Sequence, residues 1–255
     1  MTVASRFRLD GKRAFVTASS RGIGRGIALA LAEAGASVVV HGATRLSEVQ
    51  AVAGEIVASG GRAHALLADF AEPRAVSMVA DRAEAAFGGL DILVSNAAVQ
   101  VRQPWDRMTA DAIDFQMQVN FRATLTLITR LASGMMERGW GRILTVGSVQ
   151  EHKPHPEMVV YAATKSAQTN MVENLARQLA PRGVTVNNLA PGVILTERNT
   201  QSLSDQAYAE TVKTNIPAGF FGEAFDCAGA ALLLCSDAGR YITGTSLIVD
   251  GGMHL

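Results

Sequence analysis

Residues 13–24 read RAFVTASSRGIG, and this stretch decides the fold. Its first half, 13–18, is apolar enough to be a buried strand. Ile23, Ile27 and Leu31 then recur at helical spacing until Gly35 stops the helix. Between strand and helix lies a turn of small residues, 17–24. Small side chains let backbone approach a diphosphate, and the helix start offers free N–H groups and the positive end of its dipole. Gly-rich turns before helices are common, so the turn alone does not establish a dinucleotide site.

The chain around it repeats the same alternation. Apolar runs at 37–41 (SVVVH), 63–68 (AHALLA), 91–95 (DILVS), 142–147 (RILTVG), 184–189 (VTVNNL) and 246–250 (SLIVD) read as strands. Helix-like segments separate them at 46–59, 73–87, 110–138, 161–180 and 225–234. Strands that are apolar throughout belong in a parallel sheet covered on both faces. Right-handed crossovers then give an α/β doubly wound Rossmann fold. No linker divides the chain, so residues 1–255 read as a single domain. The weakest stretch is 196–222, which holds Pro217 and Gly219. It reads as a loop with a short helix, placed to act as a lid.

Composition narrows the function. The 255 residues are 48% apolar and 18% charged, and the formal net charge is zero. A neutral chain offers no bulk attraction to nucleic acid or to an anionic membrane, and neither is expected as a partner. No apolar run approaches the roughly 18 residues that span a bilayer. The N-terminal dozen residues lack the apolar core of a signal peptide, so a cytoplasmic protein is expected. The two cysteines, Cys227 and Cys235, read as buried thiols. The five histidines are scattered without metal-ligand spacing, and no metal is expected.

Tyr161 and Lys165 begin a helical stretch at i, i+4, which sets them on one face a turn apart. A free tyrosine titrates near pH ~10, too high for proton exchange near neutrality. A neighbouring ammonium favours the phenolate. The pair alone is a common surface pattern. Ser148 strengthens it, because it follows a strand at the end where such sheets bind ligands. Asn120, in QMQVNF within 110–138, is mildly unfavourable in mid-helix.

The turn 17–24 resembles the T-G-x-x-x-G-x-G fingerprint of the short-chain dehydrogenase/reductase family, with Ala18 at the first glycine. Alanine serves there if its φ stays negative, which predicts a slightly altered turn that still binds. Other landmarks follow in order over essentially the whole chain. Asp69, with Phe70 beside it, matches the acid that holds the adenine amino group. Ser95-Asn96-Ala97-Ala98 resembles N-N-A-G, Pro191-Gly192 with Ile194 and Thr196 resembles P-G-x-x-x-T, and 250–252 matches D-G-G. The resemblance implies a cofactor site from Ala18, Ser19, Ser20, Arg21, Gly22, Ile23, Gly24, Ala43, Thr44, Arg45, Asp69, Phe70, Asn96, Ala97, Ala98, Pro191, Gly192, Ile194 and Thr196, completed by Tyr161 and Lys165. It also implies the roles. Tyr161 exchanges the proton with the substrate oxygen and Ser148 holds that oxygen. Lys165 lowers the Tyr161 pKa and binds the nicotinamide ribose. Asn120 holds a water that links Lys165 to solvent.

The cofactor is NADP or NAD. NADP is favoured because 41–45 (HGATR) has no acid for the ribose hydroxyls, whereas Arg21, Thr44 and Arg45 can meet a 2′-phosphate. Substrate contacts fall to Gln100, Arg102, Gln150 and His155. Val99-Gln100, 148–150 (SVQ) and 196–199 (TERN) are similar to gluconate 5-dehydrogenases, which points to a sugar acid or polyol gripped by a cation. A 3-oxoacyl-carrier-protein reductase is the rival within the family. A non-catalytic nucleotide-sensing protein on the same fold is the rival outside it, and the four residues Asn120, Ser148, Tyr161 and Lys165 argue against that. The family resemblance implies a homotetramer.

Overall fold

Strand β1 (Arg13–Val16) lies inside a seven-stranded sheet of order β3-β2-β1-β4-β5-β6-β7, parallel throughout. The others are β2 (Ser37–Gly42), β3 (Arg62–Leu67), β4 (Ile92–Ser95), β5 (Gly141–Val146), β6 (Val184–Pro191) and β7 (Ser246–Val249). The computed structural model describes residues 2–200 and 203–255. All seven expected strands are present, shifted at their ends by one to a few residues. In β1, Phe15 points to one face while Ala14 and Val16 point to the other. Each face carries its own core. Phe15, Leu93, Ile143 and Val186 pack under α3 (Pro73–Phe87), α5 (Ala123–Glu137) and α6 (Val159–Leu179). Val16, Val40, Val94 and Leu144 pack under α1 (Gly22–Glu33), α2 (Leu46–Ala58) and α9 (Ala224–Cys235). This two-sided burial is why the central strands are apolar at most positions.

The expected helix 110–138 is continuous in direction but changes winding. α4 (Ala110–Gln116), capped by the Thr109 hydroxyl, runs into a π turn at Met117–Arg122 before α5 begins. Such turns open the backbone and often mark functional positions. This one carries Asn120.

Among its described residues the segment 196–222 holds two short helices rather than one, α7 (Glu197–Thr200) and α8 (Gln206–Thr214). Its base is closed by a parallel bridge of Ile194 with Gly222. Residues 201 and 202 lie outside the described residues. Among the described residues no helix is long and apolar enough to cross a membrane, and no cluster of His, Cys, Asp and Glu is suited to a metal ion.

Candidate active site

Strand order reverses between β1 and β4, and the chain ends that leave these two strands form the floor of the site. Thr17 is fully buried there, and its hydroxyl accepts from the N–H groups of Asn96 and Ala97, both at 2.9 Å. The Asn96 amide donates to the carbonyls of Thr17 and Ala18 at 3.0 Å each. Asn96 therefore steadies the turn itself. A Cβ at Gly24 would stand 2.4 Å from the Ala18 oxygen and 2.5 Å from the Asn96 amide, so only glycine fits.

Ala18 departs from expectation. Its φ is +49°, the one positive φ of a non-glycine among the described residues. The turn is thus not altered to suit alanine; alanine is held in the left-handed form the turn requires. His41 supplies part of the hold. Its Nδ1 accepts from the Ala18 N–H at 3.0 Å, and Nε2 then donates to the Ala68 carbonyl at 2.9 Å. The ring stacks on Phe70 at 4.6 Å between centroids. Burial, opposed by the Ala68 bond and Asp69, pushes the His41 pKa down to about 4, so the ring is neutral. Ser19 closes the same corner: its hydroxyl donates to the Val16 carbonyl and accepts from the His41 N–H.

The expected cofactor residues divide into those facing outward and those facing inward. Ala43, Thr44, Arg45 and Asp69 are exposed at the ends of β2 and β3. The Phe70 side chain, by contrast, is 3% exposed and turned into the core against His41. Arg21 and Arg45 are each paired within the chain, Arg21 with Glu197 at 2.7 Å and Arg45 with Glu48. Glu197 opens α7, so Arg21 ties the nucleotide turn to the 196–222 segment. Thr196 also sits against the turn, its Cγ2 3.2 Å from where a Gly22 Cβ would be. A cleft of about 290 Å³ runs between Ser20, Arg21, Arg25, Glu48, Glu55 and Glu197. A second, of about 540 Å³, is lined by Leu195, Thr196, Glu197, Thr200, Leu203 and Ser204. The Arg198 side chain lies outside the described residues. Gly192 packs on Asp250, and Gly251 accepts from the Ala218 N–H, so the D-G-G turn braces the end of 196–222.

Ser148, Tyr161, Lys165 and Asn120 lie beyond β5, on α6 and on the π turn. Tyr161 is 6% exposed, Lys165 1% and Asn120 0%. The Lys165 ammonium stands 5.6 Å from the Tyr161 ring centre and donates to the Val146 carbonyl at 2.7 Å and to Gln168 Oε1 at 3.1 Å. The Asn120 side chain accepts from the Val99 N–H at 2.8 Å and donates to the Val99 carbonyl and the Thr164 hydroxyl. Its backbone carbonyl takes Gln168 Nε2 at 2.6 Å. Gln168 also joins Lys165 to the Asn120 carbonyl. A buried phenol beside a fixed ammonium is suited to giving and taking a proton.

Ser148 caps a short turn, and its hydroxyl accepts from the Gln150 N–H at 3.2 Å, which leaves its proton to donate elsewhere. Its own N–H donates to Glu151 Oε1 at 2.8 Å. The Glu151 carboxylate is nearly enclosed and also accepts from Thr169 at 2.7 Å and from Asn188. Gly147 is necessary beside it, since a Cβ there would meet Glu151 Oε1.

The expected substrate residues come together on two facing loops. Arg102 reaches His155 Nε2 at 3.4 Å and Glu157 at 3.2 Å, and Gln150 accepts from the His155 N–H at 2.6 Å. Gln100 donates to the Met158 sulfur. Burial, then the Arg102 charge, push His155 below the ordinary histidine range. Cys227 and Cys235 are buried, and burial raises both thiols to about 12, so neither is a nucleophile.

Sequence reasoning missed Thr17, His41, Glu151, Glu157 and Gln168. Glu151 had a readable signal, since 148–151 (SVQE) is the S-x-x-E of a capping box. Gln168 lies one turn beyond Lys165 on the same face. The partners of Thr17, His41 and Glu157 are distant or loop-borne, and no local pattern reports them.

The chain is similar to known reductases along nearly its whole length. Residues 17–254 match the sequence family described as enoyl-(acyl carrier protein) reductase. A 3-oxoacyl-[acyl-carrier-protein] reductase of Staphylococcus aureus is 36% identical over 244 residues, 96% of this chain and 98% of its own. A 3-oxoacyl (acyl-carrier-protein) reductase of Agrobacterium tumefaciens, solved with NADP bound, superposes with a TM-score of 0.94 at 38% identity, covering 99% of this chain and 98% of that one. A gluconate 5-dehydrogenase of Burkholderia cenocepacia, solved with NADP and tartrate, gives 0.93 at 36% identity over 99% and 98%.

Proposed function

Because this chain belongs to the short-chain dehydrogenase/reductase family of oxidoreductases, which interconvert carbonyls and secondary alcohols with NAD(P), we propose that Tyr161 is its general acid and base. The observation that carries this is the buried Tyr161–Lys165 pair at the sheet's ligand-binding end. When bound, the nicotinamide supplies or accepts the hydride. Tyr161 gives its phenolic proton to the substrate oxygen in reduction and takes it back in oxidation. Ser148, oriented by Gln150 and Glu151, donates to that same oxygen and stabilises its developing charge. Lys165 favours the phenolate electrostatically. Asn120 fixes the strap at Val99 that borders the site.

The residues present fit a dinucleotide. The Gly24 cradle tolerates no Cβ, and the α1 N-terminus opens beside Gly22 for a diphosphate. NADP is the preferred form in this reading: Ala43 and Thr44 put no acid at the end of β2, and Arg21 and Arg45 stand near. A 2′-phosphate takes Arg21 over from Glu197, an exposed pair that costs little to break. The 196–222 segment serves as the lid of one domain spanning 1–255.

The substrate in this reading is a small hydroxy acid or polyol. Arg102, neutral His155, Gln100 and Gln150 converge on one side, and a guanidinium with hydrogen-bonding neighbours suits a carboxylate. The tartrate bound to the Burkholderia relative supports that chemistry. A homotetramer is supported by partly exposed Ile113, Phe115 and Leu125 on α4 and α5 and by the open edge of β7. A cytoplasmic location accords with the cysteines standing as free thiols.

The test is NADPH consumption against keto-sugar acids, polyol-derived ketones and 3-oxoacyl thioesters, with Tyr161→Phe alongside. A keto acid turned over, and a fall of about 10² to 10⁴ in kcat for the variant, are expected. Turnover of the thioester alone replaces the substrate reading. Undiminished activity in Tyr161→Phe removes the acid–base assignment.

A further inference from the structure

Lys165 is among the largest fully buried side chains of the molecule. A buried ammonium needs acceptors that keep it charged. Two of its N–H groups are directed to neutral oxygens, the Val146 carbonyl and Gln168 Oε1. Gln168 is 0% exposed. Its Nε2 donates to the Asn120 carbonyl at 2.6 Å and to the Thr124 hydroxyl at 3.1 Å. Thr124 in turn donates to the Asn120 carbonyl at 3.1 Å and meets the Ser95 hydroxyl at 2.9 Å. The amide orientation is chemically fixed. Turned over, it would press its NH₂ against the ammonium and its oxygen against a carbonyl.

The π turn makes this possible. It widens the backbone at Met117–Arg122, and side-chain donors from Gln168 and Thr124 occupy the Asn120 carbonyl. A peptide oxygen has two lone pairs, and these two donors match them. Gln168 thus ties the Lys165 ammonium to the Asn120 carbonyl. Of the charged side chains nearby, Glu151 is engaged by Ser148, Thr169 and Asn188, and Arg122 of the π turn is exposed. Tyr161 is the titratable neighbour on the same helix.

We infer that Gln168 is a positioning residue for the reaction, its amide clamping the Lys165 ammonium beside Tyr161 and anchoring it to the π turn through the Asn120 carbonyl. An amide holds charge without passing protons, so Gln168 acts through Lys165 and touches no reacting atom. The inference rests on the reading of Tyr161 and Lys165 as the proton-handling pair. Losing the acceptor loosens the ammonium. Placing a carboxylate there cancels its charge at Tyr161. Both changes disfavour the phenolate.

The experiment follows the ultraviolet absorbance of tyrosinate against pH in the full-length protein, for wild type, Gln168→Met and Gln168→Glu. Subtracting Tyr161→Phe removes the signals of Tyr208 and Tyr241. The Tyr161 inflection is expected to rise by about one pH unit in Gln168→Met and by more in Gln168→Glu. In turnover, the alkaline shift of the kcat profile follows the same order. If Gln168→Met fails to fold, the isosteric Gln168→Glu carries the test alone. A wild-type inflection in the folded variants overturns the inference and leaves Gln168 a packing residue. The titration needs no substrate, so it stands apart from the assignment of Tyr161. An active Tyr161→Phe sinks that assignment, and an unmoved inflection sinks this one.

Discussion

The nucleotide turn and the 196–222 segment meet at Gly22 and Thr196, yet they are built on opposite plans. The turn is held by bonds from two distant places in the sequence, Thr17 with Asn96 and His41 with Ala18, and by the buried local bond of Ser19 to Val16. In the segment, α8 buries no residue, and the link to the turn is an exposed ion pair, Arg21–Glu197. Buried polar bonds are costly to leave unmade, whereas exposed pairs contribute little. One region is therefore a fixed floor. The other is held far less tightly at α8, which is what the lid proposed above needs.

Acid should break the floor first. His41 is neutral when folded because its pKa is pushed down to about 4, while unfolded it titrates near the ordinary ~6.5. Between those values the unfolded chain binds the extra proton, so stability falls as pH falls through this window. The neutral ring's contribution is present above pH ~6.5. About 2 kcal/mol of it is lost by pH ~5 and about 3 by pH ~4. Urea unfolding of wild type and His41→Gln at stepped pH measures this. The variant should lose that part of the slope. Equal slopes would mean that His41 does not hold the turn in the way described.

The lid contact should respond in the opposite manner, in ligand preference and hardly in stability. Glu197→Gln frees Arg21, so NADPH should bind several-fold tighter while unfolding free energy stays within about 0.5 kcal/mol. Arg21→Gln should weaken NADPH by about tenfold and NADH far less. Fluorescence titration of both coenzymes with both variants provides the numbers. Equal losses for NADPH and NADH in Arg21→Gln would assign Arg21 to the diphosphate and undo the NADP preference.

The same contrast explains what could be read from the sequence. The sheet was legible because each central strand is apolar on both faces, and burial on both faces is what a parallel sheet imposes. Tyr161, Lys165 and Ser148 stood out through the family resemblance together with a short spacing, since the Tyr161–Lys165 spacing alone is a common surface pattern. The bonds that stiffen the floor join residues such as Thr17 and Asn96, 79 positions apart, which no periodicity records. The π turn was hidden too, because it changes the winding of a helix without changing its polarity pattern. Arg21 and Arg45 were visible as charges, and their carboxylate partners were not. Glu197 lies 176 positions from Arg21.

Ala18 tests the floor most finely. In the left-handed region an alanine is strained by about 1 to 2 kcal/mol relative to glycine. Glycine gives back about 0.4 to 1 kcal/mol through the freer unfolded chain. The difference leaves Ala18→Gly more stable by about 0.5 kcal/mol, a rise in Tm of roughly one to two degrees for a chain of this size. Coenzyme affinity should change less than twofold, because His41 and Asn96 hold the backbone in the same shape with either residue. Thermal unfolding and a coenzyme titration of the single variant check both halves. A gain in affinity well beyond twofold would show that alanine distorts the cradle, and that the buried bonds around it are less rigid than the lid contrast requires. A loss of stability would show that the turn carries no strain for glycine to relieve.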